Sequence, residues 1–212
     1  MNESNWTTHE VVTAAEDLVI RRMRDDDDDY SLMVEWRNSP HVRRWWDPDL
    51  PSWTIATIKD LYQPDTALDA ASTACIIEYA GAPIGFVQFY RWSSYANNAT
   101  DLGIHFDDGS YSLDVFIGEP GQVHRGLGTS VVAMLSDYLI TEMGASSVSL
   151  TTDVDNHPAQ RCYEKAGFEK VKQILDTDTF RGQRVRSWLM IKKPAPKRGG
   201  ISGTPGTEAS VA

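Results

Sequence analysis

The stretch SYSLDVFIGEPGQVHRGLGTSVVAML, residues 110–135, constrains what this chain can become more than any other. Its apolar, β-rich start predicts a strand at 111–118 and its periodic end a helix over 126–142, with QVHRGLGT between them. Gly126 and Gly128 remove side chains where the chain must turn tightly. Backbone N–H groups at the start of that helix lack intrahelical partners and point outward, and the helix dipole favours an anion there. A phosphate or pyrophosphate suits such a turn. Two common phosphate loops are excluded. Gly126-Leu127-Gly128-Thr129 lacks the Lys-Ser/Thr pair of a nucleoside-triphosphate loop, and the strand before it does not open a βαβ repeat, as a dinucleotide fingerprint requires. A glycine-rich helix start without a ligand shares the local pattern, so the loop needs support from elsewhere.

The remaining chain sets its frame. Residues 1–17 are polar without a clear period and read as a loose N-terminal extension. A single domain is expected over 18–193, and residues 194–212, mostly Gly, Ser, Thr, Pro and Ala, read as a disordered tail. LVIRRMR (18–24) predicts a strand. DDDDDY (25–30) leads into a helix through SLMVEWRNS, its acids placed as a solvated helix start where negative charge is favourable. TIATIKDLY (54–62) predicts a further helix, and TACIIEYAGAPIGFVQFYRW (73–92) a hairpin around AGAP. After a polar loop at 93–109 come the strand and helix above, a strand at 146–153, a helix at 156–167 closed by Gly167, and two last strands in FEKVKQIL and RVRSWLMIKK. The expected class is mixed α/β of the α+β type, with a central, mostly antiparallel twisted sheet and flanking helices. The lack of regular βαβ alternation argues against a doubly wound sheet.

The second motif is NHPAQRCYEKAGFE, residues 156–169. Asn156 is a good N-cap and Pro158 suits the first turn. Asn156, Ala159 and Tyr163 share one helix face, where a small residue lets a ligand approach and a phenol stands beside it. A tyrosine at that spacing serves equally to pack a core. Together, HRGLGTSVV and NHPAQRCYEKAGFE resemble the paired motifs of the GCN5-related N-acetyltransferase superfamily, across roughly residues 18–192. The resemblance implies acetyl-CoA as acetyl donor and no metal. It implies that the backbone of Val115, Phe116 and Ile117 pairs with the pantetheine arm like an added strand. The amides of Gln122, Val123, His124, Arg125, Gly126, Leu127, Gly128 and Thr129 would cradle the pyrophosphate, and Asn156, Ala159 and Tyr163 would flank the cofactor's far side. Val123 stands where the family often has Gln or Arg.

Asp114 interrupts the apolar strand. Alternation places it with Ser112, Phe116 and Gly118, opposite Tyr111, Leu113, Val115 and Ile117. A buried carboxylate needs a partner, water or a chemical role. A neighbouring strand or loop could supply the partner. The chemical role would be to hold an ammonium and help relay its proton, with Tyr163 as the family-style proton donor to the leaving thiolate.

EWRNSPHVRRWW, IGFVQFY, SLDVFIG and RCYEKAGFE together resemble the aminoglycoside 6'-N-acetyltransferases. That likeness implies Asp114 and Tyr163 as the catalytic pair, and Trp46, Tyr62, Gln88, Tyr90, Asp114 and Asp153 as the substrate-binding set. Loop 93–109 diverges from the pattern, and the gap before RCYEKAGF is shorter.

Charge points the same way. Four basic residues and one acid lie from Lys192 onward, so of the net charge of −10 residues 1–191 carry −13. Such a body repels nucleic acid and anionic membrane and attracts a polycation such as an aminoglycoside. Asp101, Asp107, Asp108, Asp153 and Asp155 all lie in loops that could border one mouth. Cys75 and Cys162 are far apart in sequence and make no metal spacing, and no secretory pattern opens the chain, so a cytoplasmic location is expected, as a monomer or homodimer. Three other readings stay open: a siderophore-type lysine acyltransferase, for which His105 would be the relevant histidine, a protein or peptide N-acetyltransferase, and a non-catalytic acetyl-CoA sensor.

Overall fold

Eight strands form one sheet in the order β1-β2-β3-β4-β5-β6-β8-β7. The computed structural model describes residues 10–46, 50–95, 106–177 and 184–196. The strands are β1 Val11–Ala15, β2 Leu18–Arg22, β3 Ser72–Tyr79, β4 Ala82–Arg91, β5 Ser110–Ile117, β6 Ser147–Asp153, β7 Glu169–Thr177 and β8 Arg184–Lys192. The helices are α1 Asp27–Asn38, α2 Pro40–Trp46, α3 Ile55–Tyr62, α4 Leu127–Thr141 and α5 His157–Lys165. Every pairing is antiparallel except β5–β6, where α4 makes the crossover that a parallel pair requires. The β3–β4 hairpin turns at Ala80 and Gly81, both with positive φ, which matches the right-handed twist of the flanking strands.

Alternation in the strands feeds two cores, one on each face of the sheet. Ile20, Ile77, Val87 and Leu113 face α4, packing with Val131, Val132, Leu135 and Leu139. Ile76, Phe86 and Phe116 face α1 to α3, packing with Tyr30, Met33, Trp36, Ile58 and Tyr62.

The structure departs from the sequence reading in three places. Residues 11–15, expected within a loose extension, form β1, which pairs with β2. PHVRRWW, which no sequence signal marks as helical, is α2. The acidic run is not wholly solvated: α1 starts inside it, capped by Asp26, and Asp29 is fully buried against Arg21 at 2.6 and 2.8 Å. Arg21 reaches Glu78 on its other side at 2.8 Å, so the ion pairs tie α1 to β2 and β3. Residues 1–9 and 197–212, with the expected tail, lie outside the described residues, as do Asp101 and His105.

Candidate active site

β5 and β6 pair at only three positions, Ser110 with Ser147, Tyr111 with Val148 and Ser112 with Ser149. Beyond these, β4 holds β5 as far as Ile117 while β8 holds β6 as far as Asp153. Each strand stays with its own half of the sheet, and the two halves part. Gly85 lets β4 follow β5 closely here, since a Cβ on it would lie 2.4 Å from the Phe116 carbonyl oxygen. The parting opens a cleft of about 860 Å³ and, among the described residues, leaves the Val115–Ile117 edge without a strand partner on the β6 side. An extended ligand can complete such an edge by main-chain hydrogen bonds.

The glycine loop forms the next wall. Gly126 sits at φ 82°, a left-handed conformation that favours glycine, and precedes α4 without a side-chain cap. The first-turn amides of α4 are therefore available to an anion. Gln122, Val123, His124, Gly126, Gly128 and Thr129 all line the cleft. The Arg125 side chain turns away to donate to Gln122 Oε1 and lies over the Tyr79 ring, while Leu127 packs into the core. A contribution from these two is thus a backbone one.

α5 forms the far wall. Asn156 caps it, accepting from the Ala159 amide at 3.2 Å, and Asn156, Ala159 and Tyr163 line the cleft together as their spacing predicts. Burial pushes the Tyr163 hydroxyl well above the usual phenol range, and the charge of Asp114 adds to that shift. Cys162 also lines the cleft. Burial raises its thiol, although Thr129 Oγ1 donates to its sulfur at 3.4 Å.

Asp114 stands one residue before the stretch of β5 that lines the cleft and is half-buried. Gln88, directly opposite on β4, donates to its Oδ2 at 2.8 Å. This cross-strand amide holds the carboxylate in place. Tyr90, two residues along the same face as Gln88, packs against Tyr95 at 4.8 Å and Trp92 at 5.8 Å. Trp46 and Asp153 line the cleft, and Asp153 Oδ1 accepts from the Asp155 amide at 2.8 Å.

Tyr62 and Asp107 are not among the residues that line the cleft. Tyr62 does not present itself as a pocket wall: its ring lies in the core and its hydroxyl accepts from Arg37. The reason is the buried guanidinium, which draws the one polar atom of that ring inward. Asp107 does not border the mouth either. It lies before the start of β5, at the opposite end from the cleft, and accepts from Ser110 Oγ at 2.9 Å, Gly109 N at 3.0 Å and Ser146 Oγ at 2.5 Å. Those bonds hold its carboxyl below the usual range, Ser146 first.

The sequence reading missed His41, Arg44 and Trp45, which line the cleft from α2, and Arg161 and Lys165 from α5. His41 Nε2 lies 3.1 Å from the carbonyl oxygen of Ile117. Trp46 of the same segment was placed by the resemblance alone, and the unrecognised α2 is what brings the other three to the cleft beside it. The helical spacing of Arg161 and Lys165 from Pro158, which also lines the cleft, was a usable signal for the other two.

A sheet parted beside a glycine-led helix start defines a class that known proteins share. The chain belongs to the acetyltransferase (GNAT) domain family, which matches residues 25–175. Within it, the chain is 28% identical to aminoglycoside N(6')-acetyltransferase type 1 of Klebsiella pneumoniae over 176 residues, covering 81% of this chain and 84% of that protein. The same figures hold for the protein of that name from Serratia marcescens. Among solved structures, AAC(6')-Ib in complex with paromomycin and acetyl-CoA superposes with a TM-score of 0.69 at 25% identity, covering 84% of this chain and 94% of that one.

Proposed function

We propose that this protein transfers the acetyl group of acetyl-CoA to the 6'-amine of aminoglycoside antibiotics, directly within a ternary complex, and so confers resistance to them. The observation that carries the reading is the open Val115–Ile117 edge beside the uncapped start of α4, in a cleft that runs on to Trp46 and Asp153. The likeness to aminoglycoside N(6')-acetyltransferases over four-fifths of the chain supports the acceptor. An acetyl-CoA-dependent reaction suits a cytoplasmic location, and among the described residues no helix is long and apolar enough to cross a membrane.

The residues present fit the donor. The β5 edge offers backbone groups to an extended amide-bearing arm, and the amides at 123–129 offer donors to a pyrophosphate, while the Gln122 amide, expected among them, already donates to the Glu119 carbonyl at 3.0 Å. Acetyl-CoA supplies an acetyl thioester when bound. Asp114 receives the cationic amine by a charge-assisted hydrogen bond and accepts its proton or passes it on. Gln88 fixes the orientation of that carboxylate. Tyr163 keeps its proton at Oη across the working pH range because its hydroxyl is raised. The same shift makes full transfer to a thiolate uphill, so Tyr163 serves by donating a hydrogen bond, with solvent completing the protonation. Cys162 is a poor nucleophile, since burial holds it as the thiol, and this favours direct transfer over a covalent relay.

The test is a thiol-release assay with acetyl-CoA against kanamycin, a lysine derivative and a short peptide, with mass analysis of the product. One acetyl at the 6'-amine of kanamycin is expected. Turnover on the lysine derivative or peptide alone would keep the family and replace the acceptor.

A further inference from the structure

Arg37, near the end of α1, is 1% exposed and does not line the cleft, yet it bears on its wall. Its guanidinium carbon lies 4.5 Å from the centroid of the Trp53 ring, 4.9 Å from Trp46 and 5.9 Å from Tyr62, and Nη1 donates to the Tyr62 hydroxyl. The Trp46 ring, at the last position of α2, meets Phe116 edge-on at 4.9 Å and Phe86 at 6.5 Å. Phe116 lies between Val115 and Ile117 on the open edge of β5. A contact path therefore runs from Arg37 through Trp46 to Phe116, which lines the cleft.

α2 is tied to its surroundings at a few points: His41 Nε2 lies 3.1 Å from the Ile117 carbonyl oxygen and Arg43 donates to the Leu50 carbonyl. It is seven residues long, with Val42 as its one buried residue. The Trp46 ring itself packs against other rings and the flat cation, so its angle depends on them as well as on the seat of the helix. A guanidinium stacks on aromatic faces, and an ammonium of the same charge lacks that planar surface.

We propose that Arg37 is a positioning residue for acetyl transfer: held among Trp53, Tyr62 and Trp46, it sets the angle of the Trp46 indole and thereby shapes the wall that receives the acceptor. The inference rests on the aminoglycoside reading above. It predicts that Arg37→Lys raises the KM for kanamycin about tenfold, the loss expected for a desolvated stacked cation, and leaves the KM for acetyl-CoA unchanged. Combined with Trp46→Phe, Arg37→Lys should add little further, because both act on one wall. Tyr62→Phe removes a single hydroxyl from the cage and should shift the same KM in the same direction by less, which serves if the lysine variant folds poorly. The tryptophan emission assigned to Trp46, taken as wild type minus Trp46→Phe, should change in Arg37→Lys relative to its own double variant. Additive effects on KM, an equal loss for both substrates, or an unchanged Trp46 emission would overturn the inference while wild-type turnover on kanamycin still stands. A wild type inactive on kanamycin would overturn the functional reading itself, and the acceptor role of Arg37 with it.

Discussion

At the residue scale, Asp114 on β5 and Tyr163 on α5, the pair proposed to carry the reaction, stand in different environments. Asp114 is held by the Gln88 amide and stays half-exposed, so it can serve an ammonium without a large desolvation cost. Asp114→Asn keeps the shape and removes the charge. Its kcat should fall by about two orders of magnitude or more, with the KM for acetyl-CoA unchanged, as read in the thiol-release assay. Tyr163 is buried and stays protonated, so Tyr163→Phe should slow turnover by about a hundredfold, the scale of one lost hydrogen-bond donor to developing charge. The pH profile should keep its shape between about pH 6 and 9, because the raised hydroxyl titrates above that window. A new alkaline limb in the phenylalanine variant would show that another group had been misassigned. Both residues are legible in the sequence: Asp114 as a charge in an apolar strand, Tyr163 from its spacing to Asn156. The Gln88–Asp114 bond is not, since it depends on the register of β4 against β5.

At the element scale, α1 is anchored to the sheet by the Arg21, Asp29 and Glu78 ion pairs. Breaking one side of such a buried pair leaves an uncompensated charge and costs about 3–5 kcal/mol. Asp29→Asn should lose stability on that scale in urea unfolding at neutral pH. Burial alone would raise the Asp29 carboxyl, but Arg21 and the Arg24 amide outweigh it, and its pKa in the folded protein is lowered. The stabilisation is thus present above the ordinary carboxylate value of about 4, and it is lost as pH falls below that through the depressed folded value. Wild-type stability should drop over this acid window, and the asparagine variant should drop less. An equal drop in both would assign the acid sensitivity elsewhere. Element boundaries follow local rules wherever those rules are strong. Thr54 closes a capping box at the start of α3, Asn156 caps α5, and the β3–β4 hairpin lies where its alternation places it. β1 and α2 escape the sequence reading for related reasons. VVTAA is only half-buried and pairs on one side, and PHVRRWW buries one side chain, so neither carries a core-facing period.

Across the molecule, the acidic body and the cationic acceptor make association sensitive to ionic strength. With −13 on residues 1–191, the KM for kanamycin should rise as salt is raised from about 0.05 to 0.5 M, because screening shortens the reach of the field. A flat KM would leave recognition to short-range contacts alone. The donor side is written in the sequence itself, as a strand, a glycine-led helix start and an N-capped helix. Each of these rests on backbone conformation and hydrogen-bond demands that a few adjacent residues express. The acceptor side is a product of tertiary packing. It drew the Tyr62 hydroxyl inward to Arg37, tied Asp107 to serines at the far end of β5, and brought α2 against the parted strands. Those outcomes depend on which distant side chains share a face, and packing across the two cores settles that.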